Sequence, residues 1–413
     1  MSVTETRENL TNAVTALCGG KSSLNVYNRS QRWKSLSRGC DIKNVLEEVD
    51  LSRQIVHSLS CSLIVGSALC LTPQHLLSDT FGQTNLVSDM PGLAAVTDTN
   101  LKNPWGVSFA PTSPFWVSNQ VSNNSTLYSA AGSPAPLVVN VPGGPTGQVF
   151  TGASSFTGSP LFTFATLGGS IYTWNPSNAT TAQLAATTPG AAYTGLALGS
   201  NASGSFLYAA SGGGTIDVFD SSFAHASLAG SFIDPNLPAG YVPYNIQNVN
   251  GQLYVEYANF SNSQGAVSVF DTNGNFIKEL VAPGGSHLNQ PWGIVIAPAG
   301  FGNFANDLLV GNLGNGEINA FDPASGVFLG TLDGANGQPI VNDGLWSLTT
   351  RTGSGFDTNA VYFSAGINGQ QDGLFGRIDA TQTPTPEPLS IGLSALGFIM
   401  IGFFAARRRI RAK

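Results

Sequence analysis

The sequence predicts an all-β chain, a six-bladed β-propeller with a C-terminal single transmembrane helix. Three observations predict it. A strand motif returns six times at a spacing of roughly 40–50 residues, the period of propeller blades. Turn-forming residues are abundant, with 49 Gly and 23 Pro among 413 residues. One charge-free stretch near the C-terminus is long enough to cross a bilayer.

The repeat has two alternating parts. Asn103-Pro-Trp105-Gly-Val107 returns as Gln290-Pro-Trp292-Gly-Ile294, and an Ala-Pro turn follows each copy. Weaker copies begin at Tyr193, Tyr244 and Gly344. The second part, Gly214-Thr-Ile-Asp-Val-Phe219-Asp220, recurs ending at Phe270-Asp271 and Phe321-Asp322, with looser versions at Tyr128, Trp174 and Ile378. The steps are about 46, 45, 51, 51 and 57 residues. Each blade is expected to hold four strands, A to D from the axis outward. The Trp-Gly motif supplies A, a Leu-Tyr-Val type run B, the Phe-Asp motif C, and a run such as Leu137–Val141 D. Alternating apolar and polar residues in C predict a half-buried strand. The Asp after Phe is placed to begin the C–D hairpin as an Asx-turn.

Blade six lacks a D strand of its own, because the chain enters a Pro-rich spacer after strand C. The segment Thr84–Ser88 precedes the first strand A and belongs to no blade. It is expected to pair as the outer strand of blade six, closing a ring that covers 82–381 and removing open edges.

Charge is unevenly distributed. The chain has 17 basic and 24 acidic residues, net −7. Residues 81–383 hold sixteen acids but only Lys102, Lys278, Arg351 and Arg377, a net charge of −12. So few cations exclude nucleic acid as a partner. Cys18, Cys40, Cys61 and Cys70 all precede the repeat, which suits an exported domain that needs no redox assistance.

The ends carry the targeting information. Residues 1–53 form a polar leader of doubtful status. Residues 54–80, with the apolar run Ile55–Leu71, read as a signal peptide placed internally. Either translation starts downstream, near residues 46–56, or the leader is a long n-region. At the other end, residues 382–388 are a Pro-rich spacer and 389–406 an uncharged span of about 27 Å as a helix. Residues 407–413 form a basic tail expected to stay cytoplasmic. Pro386-Glu387-Pro388, the span, and Arg407-Arg408-Arg409 in that order resemble the PEP-CTERM sorting signal of Gram-negative bacteria. The resemblance implies recognition by the membrane peptidase exosortase after export through Sec. The protein would be anchored transiently in the inner membrane and then reach the cell surface or extracellular space. An ordinary C-terminal anchor is the alternative, and it also places the domain outside the cytoplasm.

Propeller sites gather at the central tunnel. Its candidate ligand-binding residues are Asn103, Trp105, Asn245, His287, Gln290, Trp292, Asp343 and Trp346. They either form an aromatic and amide-lined pocket for a sugar or peptide, or the Trp-Gly pairs pack between blades. No nucleophile elbow, zinc spacing or catalytic Cys occurs in the repeat. Asp271-Thr-Asn273-Gly-Asn275 begins like a calcium loop but lacks the Glu at position twelve, where Ala282 stands, so a hairpin turn is expected.

The segment from Gln83 through Gly106 resembles an uncharacterised family of bacterial exported propellers, some with PEP-CTERM tails, and the repeat is distantly similar to NHL-type propellers. Six-bladed lactonases and related hydrolases hold calcium in the tunnel. A likeness to them implies Asn103, Asn245 and Asp343 as ligands, although Glu256 and Glu317 fall on strands B and C. The expected function is a non-catalytic protein of the cell envelope or extracellular matrix that binds a polysaccharide or protein. The alternative is a calcium-dependent hydrolase or lyase acting in the tunnel, and a purely structural matrix role would need no pocket.

Overall fold

The structure, a computed structural model, describes residues 79–381 apart from 154 and 354. The leader, most of the signal-like segment, the spacer, the expected membrane span and the basic tail lie outside the described residues. Among those described, no helix is long and apolar enough to cross a membrane.

The described chain is all β, with helix confined to single turns at Pro176–Asn178, Gly302–Phe304 and Ile367–Gln370. Strands β1 (Thr80–Ser88) and β2 (Val96–Thr97) come first. Blade one is β3 (Pro104–Ser108), β4 (Phe115–Asn119), β5 (Asn124–Tyr128) and β6 (Pro134–Asn140). Blade two is β7 (Pro145–Phe150), β8 (Phe162–Thr166), β9 (Ser170–Trp174) and β10 (Gln183–Thr187). Blade three has only β11 (Tyr193–Asn201), β12 (Gly204–Ser211) and β13 (Thr215–Phe219). Blade four is β14 (Val242–Val249), β15 (Gln252–Asn259), β16 (Gln264–Phe270) and β17 (Phe276–Val281). Blade five is β18 (Pro291–Ile296), β19 (Leu308–Asn312), β20 (Ile318–Phe321) and β21 (Phe328–Thr331). Blade six is β22 (Leu345–Thr350), β23 (Val361–Ala365) and β24 (Leu374–Thr381), completed by β1 with β2 beside it.

The closing strand is therefore the one before the first blade. β1 pairs antiparallel with β24 from Thr80↔Thr381 to Ser88↔Leu374, longer than the Thr84–Ser88 segment the repeat marks out. The Asx-turns after strand C also form as their Asp residues predict, in the C–D hairpins of blades four and five and after β13 in blade three. Asp220 Oδ1 accepts from the Ser222 and Ala224 amides, Asp271 Oδ1 from Asn273 and Asn275, and Asp322 Oδ1 from Ala324 and Ser325. Hydrogen bonds from Ser222 and Ser325 hold the Asp220 and Asp322 carboxyls below the ordinary aspartate value.

Two expectations are corrected. Strand C is not half-buried in blades four and five, where β16 is buried from Gly265 and β20 throughout. A blade is flanked by neighbours on both faces, so its alternating polar residues must be bonded inside. Ser268 donates to Asp234 at 2.6 Å, and Asn319 donates to the His287 carbonyl at 2.6 Å. The second correction is blade three, which lacks strand D. Its chain turns back after Phe219, makes a single bridge to it at His225, and then crosses to the turn of blade four, where the Gly230 and Phe232 amides donate to the Asn273 and Gly274 carbonyls.

Burial follows the ring. Six apolar clusters each join two neighbouring blades, and the pair at blades six and one holds Val87, Phe115, Tyr128, Tyr362 and Phe375. A seventh cluster lies on the axis.

Candidate functional site

The six innermost strands carry matching residues around the axis. Each has a β-bulge at the same height, seen as a register shift at Pro104/Val107, Pro145/Gln148, Tyr193/Gly195, Pro243/Asn245, Pro291/Gly293 and Leu345/Leu348. A bulge re-aims the side chains that follow it. At that height stand Gly106, Gly147, Gly195, Asn245, Gly293 and Ser347. Glycine is needed because neighbouring strands nearly touch. A Cβ on Gly147 would lie 2.3 Å from the Leu196 nitrogen, and one on Gly293 2.4 Å from the Trp346 carbonyl oxygen. Blade four substitutes Asn245, whose Nδ2 donates to the Trp292 carbonyl at 2.6 Å.

One residue earlier the side chains converge on the axis and plug it. Trp105 stacks on Trp346 with ring centroids 3.5 Å apart, and Trp292 meets both edge-on at 6.1 and 5.7 Å. Tyr244 fills the remaining side, 6.4 Å from Trp105 and 6.0 Å from Trp346, and meets the exposed Phe260 edge-on. Trp346 Nε1 donates to Asn103 Oδ1 at 2.9 Å and Trp292 Nε1 to the Thr194 carbonyl at 3.0 Å. Burial pushes the Tyr244 phenol well above its ordinary range.

Beyond the plug, toward the C-terminal ends of the innermost strands, lies a cavity of about 270 Å³. Trp292, Asn245 and Ser347 line its deep end, while Ser108, Phe109 and Gln247 line it nearer the mouth, where they are half-buried. Val149, Leu196 and Ile246 supply apolar wall. No Asp, Glu, His, Lys or Arg lines this cavity. The Ser108 hydroxyl is buried without a hydrogen-bond partner.

Behind Asn245 sits a buried acid. Glu256 pairs with Asn245 across β14 and β15, is fully buried, and neither carboxyl oxygen has a hydrogen-bond partner. Burial raises its pKa well above the ordinary glutamate value.

The eight predicted tunnel residues thus have different fates. Trp105, Trp292 and Trp346 come together as the plug, and Trp292 and Asn245 also line the cavity. Asn103 is buried, and its amide donates to Gln120 at 2.9 Å while its oxygen serves Trp346. Gln290 adopts a left-handed φ of 52° outside the cavity lining, where its carbonyl accepts from Leu313. His287 is also outside it, stacked on Phe328 with centroids 3.5 Å apart. Asp343 is exposed, with the Gly369 amide 3.5 Å away.

Asn103 and Asn245 spend their amide groups on Gln120, Trp346 and Trp292, and Asp271–Asn275 is a hairpin turn whose carboxylate is taken up by its own loop. Sequence reasoning missed Tyr244, Ser108 and Gln247. The signal for Tyr244 was its register in the repeat, where it occupies the position of Trp105 and Trp292.

No family model matches the chain. Two uncharacterised proteins of Acanthamoeba polyphaga mimivirus are similar to it. R648 is 29% identical over 336 residues, covering 71% of this chain and 78% of the relative. L690 is 29% identical over 341 residues, covering 71% and 84%. Among solved structures, a streptogramin B lyase aligns with TM-score 0.45 at 11% identity, over 73% of this chain and 97% of the lyase. A Kuenenia stuttgartiensis hydrazine synthase chain aligns with TM-score 0.43 at 14% identity, over 66% and 76%.

Proposed function

We propose that this chain is an exported, surface-sorted and non-catalytic propeller of the cell envelope or extracellular matrix, which binds an uncharged ligand such as a neutral polysaccharide unit in its channel. The observation that carries the reading is the cavity beside the plug, with indole, aliphatic, hydroxyl and amide groups on its walls and no ionisable side chain. A charged ligand entering there would lose its hydration without gaining a counter-charge, at a cost of several kcal/mol. A neutral ring with hydroxyl groups loses less and has the Gln247 amide and the Ser347 hydroxyl to bond. The sorting half of the proposal rests on Pro386-Glu387-Pro388, the apolar stretch 389–406 and Arg407–Arg409. Exosortase and the Sec machinery are its proposed partners, and 389–406 is the proposed membrane span.

Both halves are testable. Tryptophan fluorescence of the full chain in detergent, titrated with neutral hexose oligomers, is expected to change saturably, and uronate oligomers of equal length to leave it unchanged. A reporter carrying residues 382–413 is expected to be shortened in cells that have exosortase and to stay full-length in cells that lack it. A full-length reporter in both would remove the sorting claim without touching the ligand claim.

A further inference from the structure

We propose that the outer edge of blade three docks an extended, basic segment of a partner protein, which supplies the strand this blade lacks. The other five blades have a strand in that position, so the molecule itself defines the conformation of the occupant. Blade six adds a precedent, since its outer position is filled by β1, far away in sequence from the rest of that blade. The proposal does not depend on the channel reading.

The edge is real in hydrogen-bond terms. Ala226 N donates to the Val218 carbonyl at 2.8 Å, so the Val218 carbonyl points away from β12. Backbone groups alternate in direction along an antiparallel strand, so Ile216 two residues earlier also presents its N–H and C=O outward. Residues 224–226 bond back to Val218 and Asp220, so the open stretch is Thr215–Asp217, and beyond Ala226 the chain turns aside. Gly230 lies so close to Gly274 that a Cβ would meet its carbonyl carbon at 2.1 Å, and Phe232 is buried in the core between blades three and four. Two cavities of about 400 and 480 Å³ flank the bare edge, and both are lined by Ile216 and Asp217. Phe232 also lines both, and the larger adds Leu237, Tyr241 and Tyr257, with Ile233 at its rim 66% exposed.

Charge selects the partner. The sequence between Lys102 and Lys278 contains no Lys or Arg, and this whole slot is built from it. Asp217 and Asp234 line the slot, so its ionic character is negative. A second copy of the same edge would bring together two acidic slots on two bodies of net charge −12. A strand bearing Lys or Arg among apolar residues gains where a second copy is repelled. Main-chain bonds to an open edge give affinity, and the flanking pockets give side-chain selectivity.

The outer strand of blade four supplies a probe, since Phe276–Val281 fills the equivalent position there. A fluorescein-labelled peptide of that sequence with Glu279→Lys is titrated with the full chain in detergent and read by fluorescence anisotropy. Saturable binding is expected, at least tenfold weaker for the unsubstituted peptide. It is also expected to be at least tenfold weaker for a peptide N-methylated at alternate residues, which keeps its side chains. Ile216→Pro removes an outward N–H, a tolerated loss on an edge strand, but also the Ile side chain packed on the core between blades three and four, so Ile216→Ala, which trims the side chain and keeps the N–H, is its control; Pro is expected to abolish binding and Ala to retain it, both with unchanged circular dichroism. Absence of saturable binding, or equal binding by the N-methylated peptide, overturns the proposal. Self-association of the chain that Ile216→Pro abolishes would make the occupant a second copy and overturn it as well.

Discussion

At the scale of single residues, the channel is governed by what stands at the height of the bulge. Gly147 has no room for even one methyl group, because the Leu196 amide nitrogen occupies the space. Gly147→Ala is expected to destabilise the fold by about 1–3 kcal/mol through overpacking. Gly285→Ala, with nothing within 4 Å of its Cβ, is expected to change stability by less than about 0.5 kcal/mol. Urea unfolding of both variants reads the difference. Glu256 makes a second residue-scale prediction. Folding raises its pKa, so the native chain keeps a proton that the unfolded chain releases above about pH 4.3. The associated stability is complete below that value and declines as pH rises toward the folded-state pKa. Glu256→Gln keeps the shape without the acid. Its melting temperature is expected to match the parent near pH 4 and to exceed it by a margin that grows up to pH 8.

At the scale of elements, closure depends on β1. Phe81 is buried at the interface of blades five and six, and Leu86 and Val87 at that of blades six and one. At about 1.5–3 kcal/mol per buried side chain, these three rival the whole stability of an ordinary domain, about 5–15 kcal/mol. Deleting residues 80–88 is therefore expected to abolish cooperative thermal unfolding, followed by circular dichroism at 218 nm. This element was legible in the sequence because blade six visibly ran out of chain while Thr84–Ser88 had no blade. Blade three was not legible in the same way. Its missing strand follows from where Gly230 and Phe232 find partners, which is a matter of contacts between blades and leaves no mark in a repeat register. The plug was legible by half. The repeat placed Trp105, Trp292 and Trp346 at one height, but only the narrow ring set by Gly147 and its equivalents decides that they meet one another. His287 was misplaced for a related reason. Its position just before a strand A said nothing of Phe328, on which it stacks.

At the scale of the whole molecule, the described body is a ring of six inter-blade cores around an axis that is sealed on one side and hollow on the other. Its surplus of acids lies outside the channel lining, whereas the cavity is uncharged. That separation is what the proposed function rests on. In the proposed account the −12 body would repel second copies and attract basic partners, while the channel would select for neutral ligands. The most direct test is isothermal titration calorimetry of the full chain with a neutral hexose oligomer, repeated with Gln247→Trp, which narrows the cavity mouth and leaves the plug intact. The account predicts one site per chain, weakened at least tenfold by Gln247→Trp, and no heat from a uronate oligomer of the same length. Equal affinity for the uronate, or neutral-sugar binding that Gln247→Trp leaves unchanged, would contradict it.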